Sequence, residues 1–246
     1  MTVEEIIRPG DKIEISQVVQ EKRDGDAPQV YMSKVLDIKE NGNIEIAMPV
    51  ERGKLVLLTL GIRYNFVFFS RGGLYRATAQ IKERYKSENI YMLEVELKTQ
   101  LEKFQRREFY RYPCILNTGY YILTKEEAEL GNGEAIYVRI QSEESEPKTE
   151  YNGTIIDLSG GGIKLVTKEE VESGTNILLQ LHLRNEEIDK QYYILGTAIA
   201  AEKVHRSGEK FYEIRVKFLI HDNNIREEII KYIFEEERKT RQRGKR

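Results

Sequence analysis

Short runs of alternating apolar and polar residues, each closed by a turn signal, dominate this chain. Val30 to Ile38 alternates in this way, and Asn41-Gly42-Asn43 then turns the chain into Ile44 to Met48. Alternation with a period of two residues is typical of a half-buried β-strand, and tight turns between such runs favour antiparallel pairing. The pattern therefore predicts an all-β protein made of closed antiparallel barrels or sandwiches.

One segment without this alternating pattern divides the chain into two predicted β domains. Residues 99–111 are polar and basic, lack a strand pattern and precede Pro113, so they are predicted to be a linker. Residues 1–98 form the first predicted domain and residues 112–238 the second, followed by a basic tail over 239–246 that is expected to fray. Strands are predicted over 12–15, 30–38, 44–48, 54–60, 64–70, 74–83, 90–97, 112–123, 135–141, 154–157, 163–166, 176–184, 192–204 and 211–220.

The second domain is predicted to end in a helix over Asp222 to Arg238. Apolar residues recur there at helical spacing, and Asp222 or Asn223 is placed to cap the first turn. The predicted apolar stripe consists of Ile225, Ile229, Ile230, Ile233 and Phe234.

Composition restricts the kinds of partner. The net charge of -2 supplies no overall field that would recruit a long nucleic acid, so any anion site must be a local cluster. The single cysteine, Cys114, excludes an intramolecular disulfide framework and fits a reducing compartment. No stretch approaches the roughly 20 apolar residues that span a bilayer. We therefore expect a cytoplasmic protein without membrane insertion.

Two motifs point to chemistry. The segment Gln105 to Arg111 holds three guanidinium groups, and Asp157 to Gly162 is a polar turn with three consecutive glycines. Guanidinium forks match phosphate oxygens and the O6/N7 edge of guanine, while a glycine turn lets the backbone approach a ligand closely. Together the motifs suggest a receptor for a small anionic guanine nucleotide. Taken singly, each also fits a plainer interpretation, a solvated basic linker and a hairpin that requires positive φ.

The order and spacing of these motifs resemble the signature of the PilZ domain, a six-stranded β-barrel receptor for the bacterial second messenger cyclic di-GMP. The matching positions are Arg107-x-x-x-Arg111, followed later by Asp157-x-Ser159-x-x-Gly162. The first domain resembles the N-terminal, split-barrel-like domain of PilZ proteins of the flagellar-brake type. The resemblance thus implies two antiparallel β-barrels with a C-terminal α-helix.

The resemblance also implies a role for each motif residue. Arg107 and Arg111 would bind the phosphates and the Hoogsteen edge of guanine, and Asp157 would accept hydrogen bonds from the guanine N1/N2 edge. Ser159 would contact the ligand or buttress the loop. Arg106 would capture a second ligand molecule in an intercalated dimer. The further predicted contacts are Gln105, through a hydrogen bond, and the glycines of the turn, Gly160, Gly161 and Gly162, of which Gly162 would allow the turn to approach closely.

Catalysis has little support in the sequence. The histidines are scattered, no metal-ligand spacing or dinucleotide-binding fingerprint occurs, and Cys114 beside Pro113 fits a small buried side chain better than a nucleophile. We therefore expect neither an enzyme nor a cofactor or metal. Four aromatic residues, Tyr64, Phe66, Phe68 and Phe69, could imitate a base-stacking platform. However, Phe66 and Phe68 share one strand face and the region is not strongly basic, which favours core packing.

The leading expectation is a cytoplasmic cyclic di-GMP receptor. Its two domains would rearrange on ligand binding, and it would regulate flagellar motility through contact with a motor or stator protein, to which it would be recruited. No nucleic acid polymer is expected as a partner. Two alternatives remain open from the sequence: a two-barrel protein that binds single-stranded nucleic acid, and a PilZ-like scaffold that binds no nucleotide.

Overall fold

A computed structural model describes residues 2–18, 29–143, 146–206 and 208–243. The chain divides into two compact units, Met1–Arg106 and Arg107–Arg246. Each unit has its own hydrophobic core. In the described residues, no helix is both long enough and apolar enough to cross a membrane.

The first unit is an antiparallel sheet that returns on itself. Its strand order is β6-β1-β2-β3-β8-β7-β9, and β6 also pairs with β7. A separate two-stranded ribbon pairs β4 with β5. The elements are α1 (Val3–Ile6), β1 (Lys12–Gln17), β2 (Val30–Ile38), β3 (Ile44–Ala47), β4 (Val50–Glu51), β5 (Lys54–Leu55), β6 (Arg63–Ser70), β7 (Gly73–Ser87), β8 (Ile90–Leu97) and β9 (Glu102–Lys103).

Strand alternation decides which side chains of the first unit are buried. Ile13 and Ile15 on β1 lie opposite Phe68 and Phe66 on β6, and all four side chains are fully buried. The predicted core role of the two phenylalanines is confirmed, so their rings are not available to stack on bases. Glu14, between the two isoleucines, points to the outer face of the sheet.

The second unit is a closed six-stranded antiparallel barrel in the order β10-β11-β12-β15-β14-β13. A long helix, α4, packs against it. The elements are β10 (Arg111–Leu123), α2 (Lys125–Ala128), α3 (Gly133–Ile140), β11 (Tyr151–Ser159), β12 (Gly162–Thr167), β13 (Asn176–Arg184), β14 (Asp189–Arg206), β15 (Glu209–Phe218) and α4 (Asn223–Arg243). The predicted all-β class with two β domains and a C-terminal helix is confirmed.

Helix α4 joins the barrel core through part of its predicted stripe. Ile229 and Ile233 are buried, together with Tyr232, and Asp222 accepts a hydrogen bond from the backbone N–H of Asn224 at 2.9 Å. Asp222 therefore caps the helix, as one of the two expected residues.

The tail prediction was wrong over residues 239–243, because α4 continues through Arg243. An ion pair between Arg241 and Glu237 at 2.6 Å spans one turn of this last part of the helix. The remaining tail residues, 244–246, lie outside the described residues.

Two strand predictions were also wrong. Of the predicted strand over 135–141, residues 135–140 belong to helix α3 instead, because Asn132 caps the helix by accepting from the backbone N–H of Ala135 at 3.1 Å. Ile136 and Ile140, one helical turn apart, are buried. The predicted strand over 54–60 is shorter in the structure, where β5 covers only Lys54–Leu55.

Candidate ligand-binding site

The glycine motif forms the tight connection between β11 and β12. Ser159 is the last residue of β11 and pairs with Gly162, the first residue of β12. The buried hydroxyl of Ser159 donates a hydrogen bond to the carbonyl of Gly162 at 2.9 Å. Ser159 therefore buttresses the turn, which is one of the two roles expected for it.

The glycines of this turn have packing reasons of their own. A methyl group added at Gly161 would lie 2.9 Å from the ring of Phe109, and one added at Gly160 would meet both Phe109 and Ile230 at less than 3 Å. At Gly162 the added carbon would lie only 2.1 Å from the backbone oxygen of Val216 on β15. The three positions thus exclude side chains because neighbouring protein atoms are close.

Asp157 provides the acidic group of the site. It lies on β11, paired with Pro113 on β10 and with Lys164 on β12. Burial raises the pKa of Asp157 above its ordinary value, and the positive charges of Arg111, Arg107 and Lys164 offset only part of that rise. The carboxyl group and both arginines of the motif therefore interact electrostatically within one unit.

The two arginines lie at the start of the barrel. Arg111 is the first residue of β10 and pairs directly with Ser159, so its backbone adjoins the glycine turn. The side chains of Arg107 and Arg111 are exposed. Exposed guanidinium groups beside a half-buried carboxylate can bind phosphate oxygens while the carboxylate accepts N–H donors of a base.

Residues between the two arginines anchor the segment to α4. The ring of Phe109 covers Gly160 and Gly161 on one side, and the guanidinium of Arg226 lies 5.5 Å from its centre. The ring of Tyr110 stacks on Phe234 at 6.4 Å, and its hydroxyl donates to Glu237 at 3.1 Å. Sequence reasoning missed these anchors. The one signal for them was the pair of aromatic residues inside the arginine motif.

Comparison with known proteins identifies the family. The family model described as flagellar protein YcgR matches residues 8–97, and the model of the PilZ domain matches residues 105–235. The chain belongs to the PilZ-domain family. The resemblance predicted from the two motifs is therefore confirmed. Among curated proteins, none matches this chain.

Solved structures share the fold of this PilZ protein. The inhibitor of motility MotI/DgrA from Bacillus subtilis is 18% identical, with a TM-score of 0.69 over 96% of this chain and 100% of that chain. YcgR from Escherichia coli, solved in complex with c-di-GMP, is 14% identical, with a TM-score of 0.50 over 96% of this chain and 88% of that chain. At these identities the likeness shows the common fold.

The predicted site residues of the PilZ protein fall into two groups. The second unit holds Arg107, Arg111, Asp157, Ser159 and the three glycines, whereas Gln105 and Arg106 belong to the first unit. There Arg106 forms an ion pair with Glu14 at 2.8 Å, and its guanidinium lies 5.2 Å from the centre of the Phe69 ring. The unit boundary therefore falls inside the run of motif arginines.

Proposed function

We propose that this PilZ protein is a cytoplasmic, non-enzymatic receptor for cyclic di-GMP that regulates flagellar motility through contacts with another protein. The PilZ resemblance assigns phosphate and guanine contacts to Arg107 and Arg111, base contacts to Asp157, and an approach surface to the glycine turn. Gln105 and Arg106 would contribute from the first unit, Arg106 by holding a second ligand molecule in an intercalated dimer.

One observation carries this proposal. Asp157 is half-buried on β11 and interacts electrostatically with Arg107 and Arg111, and Arg111 pairs directly with Ser159 at the glycine turn. A half-buried carboxylate that interacts electrostatically with two exposed guanidinium groups, next to a turn closed by Ser159, supplies both hydrogen-bond acceptors and donors in one region of the barrel. Cyclic di-GMP offers the complementary set, since its phosphates accept hydrogen bonds and the guanine N1/N2 edge donates them.

Isothermal titration calorimetry with cyclic di-GMP tests the proposal. Each charge-assisted hydrogen bond contributes about 1.5–3 kcal/mol, so Arg107→Ala or Asp157→Asn is expected to weaken binding about 10- to 150-fold. Arg184→Ala is the matched control, because Arg184 is an exposed arginine of the same barrel that pairs with Asp189 away from the motif. Absence of heat from the folded wild-type protein at high ligand concentration would refute the receptor function and favour the scaffold without ligand.

The output of the receptor is proposed to be a rearrangement of the two units. A ligand that engages Arg106 from one unit and Arg107 from the other acts on both at once, and such contacts can bias a two-state equilibrium. Small-angle scattering with saturating ligand is expected to show an altered distribution of interatomic distances. An unchanged distribution would refute this step and leave binding untouched.

The partner of the receptor is proposed to be a motor or stator protein. Two comparisons support a link to motility: the family model that matches the first unit is that of a flagellar protein, and the structurally similar MotI/DgrA is an inhibitor of motility. In a motile host with raised cyclic di-GMP, expression of the wild-type chain is expected to change swimming, and the Arg107→Ala chain is expected not to. Equal swimming with the two chains would refute ligand-dependent control.

A further inference from the structure

Arg106 is held in the first unit by two neighbours of different chemistry. One nitrogen of its guanidinium donates to both carboxylate oxygens of Glu14, at 2.8 and 2.9 Å. The same guanidinium lies over the ring of Phe69. Glu14 on β1 and Phe69 on β6 are diagonal neighbours, since Lys12 pairs with Phe69 and Glu14 with Val67. An anion and an aromatic face thus meet Arg106 on the outer side of the sheet.

These two neighbours offer the same interactions as a guanine dinucleotide. A guanidinium binds carboxylate and phosphate oxygens with similar geometry, and it stacks on an aromatic ring as it stacks on a purine. A side chain cannot make both sets of contacts at once. Ligand contacts to Arg106 would therefore require that Glu14 release it.

We propose that Glu14 is an affinity-determining residue of the ligand site, acting as an internal competitor for Arg106. This inference rests on the proposed function. The carboxylate holds the guanidinium in the unliganded protein and lowers the apparent affinity of whichever ligand molecule uses Arg106. If Arg106 serves only the second molecule of an intercalated dimer, Glu14 sets the ligand concentration at which the second molecule binds.

The expected size of the effect is modest because the pair is partly exposed. The side chains of Arg106 and Glu14 are 39% and 24% exposed, and exposed ion pairs are typically weak. Removing the carboxylate is therefore expected to tighten the Arg106-dependent binding step about two- to fivefold.

A double-mutant cycle by calorimetry with cyclic di-GMP tests the competition. Glu14→Gln is expected to bind more tightly than the wild type, and in an Arg106→Ala background the same substitution is expected to have no effect. Glu102→Gln is the matched control. Glu102 pairs with Arg76 at 3.2 Å in the same unit, and Arg76 also lies over an aromatic ring, that of Phe104. Unchanged or weaker binding by Glu14→Gln overturns the proposal, as does a gain that persists without Arg106.

A measurement without ligand separates this inference from the receptor function. Trypsin needs the Arg106 side chain in its specificity pocket, so cleavage after Arg106 reports how often Glu14 releases it. Faster cleavage at that bond is expected in Glu14→Gln, and wild-type cleavage in Glu102→Gln. Equal cleavage in all three proteins would show that Glu14 does not hold Arg106. If cleavage changes as expected but none of the three proteins binds cyclic di-GMP, Glu14 does restrain Arg106, while both the receptor function and the proposed competition are refuted.

Discussion

Substitution of Gly162 tests whether this glycine is required for ligand binding or for the packing of the barrel. The sequence suggested that Gly162 lets the turn approach a ligand, whereas in the structure a methyl group at this position would meet the Val216 backbone oxygen at 2.1 Å. The substitution Gly162→Ala would therefore force β12 away from β15, with which Gly162 pairs through Lys217.

The magnitude follows from overpacking, which costs about 1–3 kcal/mol. Gly162→Ala is therefore expected to lower the free energy of unfolding of the second unit by about 1–3 kcal/mol. For a unit of this size each kcal/mol corresponds to about 4 °C in Tm, so Gly162→Ala is expected to melt about 4–12 °C lower.

Differential scanning calorimetry without ligand measures this shift. The matched control is Gly174→Ala, because Gly174 has a φ of +92° and no atom within 4 Å of the added methyl group. It carries a conformational cost of about 1–2 kcal/mol, or about 4–8 °C, without overpacking, and is expected to leave ligand binding unchanged. If Gly162→Ala did not lower the Tm and lost only ligand binding, the packing explanation would be wrong and the ligand explanation correct.

Two further predictions concern titratable groups of the second unit. Burial raises the pKa of the Cys114 thiol to about 12 from an ordinary 9.0, so the folded protein holds far less of the reactive thiolate. At pH 8 iodoacetamide is therefore expected to alkylate the folded protein roughly a thousandfold more slowly than the protein unfolded in guanidinium chloride. Similar rates for the two would contradict the prediction. Because the folded-state pKa of Asp157 is raised, its ionised form disfavours folding at neutral pH, and this cost disappears as the pH falls through that pKa. Asp157→Asn is therefore expected to raise the Tm of the unliganded protein at pH 7 and to lose that advantage in acid, as thermal melts across pH would show.

Most of the strands could be predicted because period-two alternation is a local property. Residues 30–38 and 176–184 match β2 and β13 end to end. The segment over residues 135–141 failed because its β-branched and aromatic residues favour a strand locally, while the capping amide of Asn132 and the burial of Ile136 and Ile140 stabilise a helix. Local propensity was overridden there by capping and tertiary packing.

In the candidate site, too, the features that depend on local sequence could be predicted and those that depend on tertiary packing could not. Within each half of the motif, Arg107 to Arg111 and Asp157 to Gly162, the residues are close in sequence, so the spacing within the halves and their order in the chain carried the information needed to find them. Phe109 with Arg226, and Arg106 with Glu14, are contacts between residues far apart in the chain. No local pattern encodes such contacts, because they arise only when the barrel and the sheet have formed.

At Asp157 one substitution is expected to have opposite effects on stability and on ligand binding. A carboxylate that burial destabilises would be replaced without loss by asparagine if its role were structural, since asparagine has nearly the same shape and no charge. Asparagine, however, presents one acceptor oxygen where the carboxylate presents two, and the N1–H and N2–H groups of guanine are two adjacent donors. If the charge of Asp157 serves ligand binding at the expense of stability, Asp157→Asn is expected to have a higher Tm and a lower affinity for cyclic di-GMP than the wild type. If Asp157→Asn instead melted lower and bound cyclic di-GMP as well as the wild type, the carboxylate would belong to the fold, and Arg107 and Arg111 would have to recognise the ligand without it.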